Sequence, residues 1–73
     1  MTKYEFAQNI IALNETLPNN IELSLHVYKD RIGITLENTE LPYGERTLYS
    51  DYFIKFDKLE RAMKHLQIEL DAL

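Results

Sequence analysis

Ile21-Glu22-Leu23-Ser24-Leu25-His26-Val27, resumed after four residues by Ile32-Gly33-Ile34-Thr35-Leu36, decides the fold of this chain. Apolar and polar side chains alternate with period two, the mark of strands with one buried face and one wet face. Two such runs joined by a short polar segment form a β-hairpin. Pairing Val27 with Ile32 also pairs Leu25 with Ile34 and Leu23 with Leu36, so all six share one face. A slip of one residue would set apolar against polar along the whole ladder. This register needs an even number of loop residues. Lys29-Asp30 lacks the positive-φ residue types that two-residue hairpin turns favour, so a four-residue connection from Tyr28 to Arg31 is expected.

Upstream, Thr2 and Glu5 have the spacing of a capping box. Phe6, Ile10, Leu13 and Leu17 then fall on one helical stripe, and Pro18 ends it because the residue before a proline avoids the α region. A helix over 3–17 follows. Downstream, residues 38–45 carry Pro42 and Gly44 and read as a loop. The stretch from Thr47 to Phe56 supports two readings. Its aromatic and β-branched residues favour a third strand. Yet Tyr52, Phe56, Leu59, Met63, Leu66, Leu70 and Leu73 would share a helical stripe if a helix began near Ser50. Asp57 and Glu60, spaced as a second capping box, place the helix start later. The expectation is a strand over 47–55 and a helix over 57–72.

The order α-β-β-β-α is that of a single α+β domain over residues 1–73, a three-stranded antiparallel meander with two helices packed on one face. Its expected core is Phe6, Ile10, Leu13, Leu17, Leu23, Leu25, Val27, Ile32, Ile34, Leu36, Ile54, Leu59, Met63, Leu66 and Leu70. A chain this short buries about 60% of its unfolded surface, so a core two layers thick is what it can build. There is no cysteine, no apolar run of membrane-spanning length and no signal-like start, which together predict a cytoplasmic domain. The formal charge of −4 disfavours broad binding to phosphate backbones.

No constellation for chemistry emerges. His26 and His65 lie far apart and neither has a second metal ligand at a binding spacing, so no metal and no cofactor are expected. Ser24 and His26 share a strand face but stand roughly 7 Å apart, too far for a nucleophile and its base. Gly33 and Gly44 do not make a phosphate loop. No enzymatic activity is expected.

Aromatic placement is the more informative signal. With Ile54 facing inward and simple alternation, Tyr49, Asp51, Phe53 and Lys55 would point outward and join His26 and Tyr28 on the open sheet face. Tyrosine and phenylalanine are enriched at protein interfaces. Glu37, Glu40 and Glu45 form an acidic neighbour, so the candidate protein interface is Tyr28, His26, Tyr49, Asp51, Phe53, Glu37, Glu40 and Glu45. The first functional expectation is an accessory or inhibitor module that docks on a partner protein. Tiny acidic domains rich in Asn, Ile and Lys are common products of phages and mobile elements.

The order α-β-β-β-α also resembles the topology of the double-stranded RNA-binding domain, across the whole chain but in architecture alone. The basic cluster which that family carries at the start of its last helix is met here by the mixed stretch Asp57-Lys58-Leu59-Glu60-Arg61-Ala62-Met63-Lys64. Its histidine-bearing loop is replaced by Tyr28-Lys29-Asp30-Arg31. The resemblance implies, as an alternative, nucleic-acid contacts through Lys29, Arg31, Lys55, Lys58, Arg61 and Lys64. A third reading is homodimerisation through the second helix, where Leu70 and Leu73 extend the apolar stripe.

Overall fold

The computed structural model describes residues 1–73. The helix α1 spans Lys3–Thr16, the strands β1 Ile21–Val27, β2 Arg31–Asn38 and β3 Thr47–Lys55, and the helix α2 Leu59–Asp71. The sheet is antiparallel in the order β1-β2-β3. α1 packs on β1 and α2 on β3, and the shortest extent of the molecule is 17 Å, the depth of one helical layer on one sheet. No helix is long and apolar enough to cross a membrane.

The hairpin register is the expected one: Val27 faces Ile32, Leu25 faces Ile34 and Leu23 faces Leu36. The connection is closed by the Tyr28 N–H donating to the Arg31 carbonyl at 3.0 Å. α1 begins with the expected capping box. The Thr2 hydroxyl accepts from the Glu5 N–H at 3.1 Å and the Glu5 carboxylate accepts from the Thr2 N–H at 2.9 Å. At the other end of α1, Asn14 Oδ1 accepts from the Leu23 N–H at 2.9 Å, which ties the helix to the outer edge of β1.

Nine side chains form the buried core: Phe6, Ile10, Leu23, Ile32, Ile34, Leu36, Ile54, Leu59 and Leu66. Leu13, Leu17, Leu25, Met63 and Leu70 are half-buried against it. Val27 departs from the expected core. It ends β1 beyond the cover of either helix and is 67% exposed.

The start of α2 also differs from expectation. No side chain caps it, and the Asp57–Glu60 capping box does not form. A 3-10 turn, Phe56–Lys58, leads in instead, seating Phe56 against the core. Glu60 is drawn away to the Met1 ammonium, which it pairs with at 3.0 Å. Of the two residues that extend the apolar stripe of α2, Leu70 is half-buried against the core and Leu73 is exposed.

β3 is a strand, but it does not alternate as expected. Ile32 pairs with Ile54, whereas Ile34 pairs with Asp51 and Leu36 with Tyr49. Gly33 is therefore opposed by two residues, Tyr52 and Phe53, in a β-bulge. A second register shift follows between Leu36 and Glu37. The first bulge reverses the facing of the residues between it and the second. Tyr49 and Asp51 share the helix-covered face with Ile34 and Leu36, and do not stand on the open face.

Candidate functional site

The bulge at Tyr52 and Phe53 organises the open face. A Cβ on Gly33 would lie 3.1 Å from Tyr52 Cδ1, 3.2 Å from Tyr52 Cα and 3.3 Å from His26 Cβ. Glycine there lets the bulged backbone and its tyrosine close down on β2. Tyr52 takes the place expected of Tyr49. Its ring centroid lies 5.4 Å from that of His26, and its hydroxyl accepts from Thr35 Oγ1 at 3.0 Å. With its single proton directed at Tyr52, Thr35 accepts from His26 Nε2 at 3.2 Å. These two rings cover Thr35 so fully that it is 4% exposed although it faces away from both helices. The trio holds no carboxylate to orient the imidazole. It forms a small satellite cluster on the outer face.

Beside it lies a stacked cluster. The Arg31 guanidinium sits 4.2 Å from the Tyr28 ring centre and 5.0 Å from that of Phe53. Arg31 Nε donates to the Tyr52 carbonyl at 3.1 Å and its Nη1 pairs with Asp30 at 2.8 Å. Cation–π contact and charge-assisted bonds fix the guanidinium between the two rings. Phe53 remains 74% exposed, the largest apolar surface on this face.

On the far side of Phe53 a groove of about 360 Å³ runs between β3 and α2. Phe53 and Lys55 form one wall, Lys58, Arg61 and His65 the other, with Asp51 at one end. Lys55, Lys58, Arg61 and the adjacent Lys64 make no ion pair, since the only two in the molecule join Met1 to Glu60 and Arg31 to Asp30. Asp51 is turned into the bulge, where its Oδ1 accepts from the Phe53 N–H at 3.0 Å.

The expected interface residues thus separate into three places. Tyr28, His26 and Phe53 gather at one end of the open face. Tyr49 and Asp51 lie on the helix side. Burial, and then the Asp51 and Glu69 carboxylates, raise the Tyr49 phenol above its ordinary 10.0. Glu37 is half-buried on β2, roughly 20 Å along the strand from Arg31, and Glu40 and Glu45 are exposed in the loop beyond it. Glu37, Glu40 and Glu45 thus lie at the other end of the sheet from the aromatic cluster, whereas Asp51 reaches that cluster through the Phe53 N–H and the groove they share. Among the alternative nucleic-acid contacts, Arg31 pairs with Lys55 in register and so joins the turn to the groove. Arg31 is engaged by Asp30 and Tyr52, while Lys29, Lys55, Lys58, Arg61 and Lys64 are exposed. No group of three His, Asp or Glu side chains is placed to hold a metal ion.

Tyr52 and His65 were not among the expected site residues. The signal for Tyr52 was Gly33, since a glycine inside a strand marks a bulge or a close backbone approach. His65 follows Arg61 by one helical turn on the same face, a spacing readable from the sequence.

Compared with protein-family models, with curated proteins and with solved structures, the chain matches none.

Proposed function

We propose that this chain is a non-enzymatic interaction module that docks on a partner protein through the Tyr28–Arg31–Phe53 end of its open sheet face. One observation carries the reading: an arginine held between a tyrosine and a largely exposed phenylalanine on the sheet. Tyr and Arg are the residues that dominate binding energy at protein interfaces, and an exposed apolar ring beside them supplies desolvated area.

The test is a titration of a partner captured with the wild-type chain. Phe53→Ala should weaken that partner about tenfold or more, the range of an interface hot spot. Tyr43→Ala should not, because Tyr43 is even more exposed but lies in the distant 39–46 loop beside Arg46. Equal affinity for wild type and Phe53→Ala would remove the sheet face from the proposal.

A further inference from the structure

We infer that the groove between β3 and α2 receives an acidic, extended peptide segment of that partner, with an apolar side chain set against Phe53. The inference rests on the docking reading above and names the chemistry of what docks. Its basis is a charge imbalance with a shape. Lys55, Lys58 and Arg61 converge on one hollow beside an exposed aromatic ring, and no carboxylate of the chain pairs with any of them. Glu60, which could neutralise this stretch, is engaged by the Met1 ammonium, and Asp51 by the bulge amide. A molecule of net charge −4 that sets three cations against the one carboxylate of Asp51 in this groove presents a local field complementary to carboxylates.

Two alternatives fit less well. A nucleic-acid strand carries charge at every phosphate, and it would meet Asp51 at one end of the groove and the exposed Asp57 close to Lys58. A peptide can place its carboxylates only where the cations stand. Pairing of a foreign strand on the free edge of β3 is hindered where the groove begins, because the bulge bends that edge and Asp51 already holds the Phe53 N–H. Recognition here is therefore by side chains.

The experiment measures fluorescence anisotropy with three labelled probes. One is a peptide with phenylalanine flanked by glutamates, the second replaces the glutamates with glutamines, and the third is an oligothymidylate strand. The glutamate peptide should bind, the glutamine peptide should bind at least about tenfold more weakly, and affinity should fall as salt rises. Lys58→Glu combined with Arg61→Glu should cost the glutamate peptide about tenfold or more, with circular dichroism unchanged because both side chains are exposed. Tighter binding of oligothymidylate than of the glutamate peptide, or no difference between the two peptides, would overturn the inference. The captured partner separates this failure from failure of the docking reading. A partner weakened by Phe53→Ala but not by the charge reversal removes the acidic segment and keeps the docking surface. A partner indifferent to both removes the two together.

Discussion

Gly33 is the residue on which the outer face turns. Gly33→Ala should destabilise the fold by about 1–3 kcal/mol, the cost of forcing a methyl into a packed site, because two of its three nearest neighbours are the bulged Tyr52 and the backbone beneath it. Gly44→Ala, where nothing lies within 4 Å, should change stability by less than about 0.5 kcal/mol. Urea denaturation of the pair checks both, and equal midpoints would mean that the bulge yields. Tyr49 makes a second prediction at this scale. Its phenol is raised in the folded state, so the folded chain holds the proton longer than the unfolded chain. The resulting stability is full below the ordinary tyrosine value and is lost as pH rises above it, through the raised folded value. The difference in stability between wild type and Tyr49→Phe should therefore shift against wild type above pH 10.0 and stay constant below it. The two residues also show what the sequence could and could not carry. The hairpin register is legible because three apolar pairs agree on it and any slip breaks all three. The facing of Tyr49 is not, because one extra residue in β3 reverses the alternation. Gly33 advertised such an irregularity, but not which neighbour would supply the bulged residues.

The helix starts differ in kind. α1 is held by reciprocal bonds between Thr2 and Glu5, which also keep the Glu5 carboxyl below its ordinary 4.5. Thr2→Ala should cost about 1 kcal/mol. The lowered Glu5 value means that its contribution is present above pH 4.5 and fades as pH falls through the folded value. α2 has the same sequence spacing at Asp57 and Glu60 but no such bonds. Asp57→Ala should leave stability within about 0.5 kcal/mol of wild type. A thermal melt of both variants distinguishes the formed box from the unformed one, and a large loss in Asp57→Ala would contradict the geometry. A capping motif is a local option that the rest of the chain can override. Here the hydrophobic seat of Phe56 pulls the chain into a 3-10 turn before the helix proper.

At the level of the whole molecule, two helices on one face leave a core of nine buried side chains. Phe6 is fully buried, and its replacement by alanine should cost about 3–5 kcal/mol, comparable to the entire stability of a domain this small. Phe6→Ala should therefore lack cooperative melting by circular dichroism at room temperature, whereas Val27→Ala should melt close to wild type. A three-stranded sheet also has two free margins, and both are guarded from within. Asn14 occupies an outward amide of β1 and Asp51 one of β3. Unguarded margins template the stacking of copies into fibrils. Replacing Asn14 and Asp51 by alanine should shorten the lag before thioflavin-positive aggregates form in concentrated solution, and an unchanged lag would show that the guards are idle. Two short polar side chains would then decide whether this sheet stays finite.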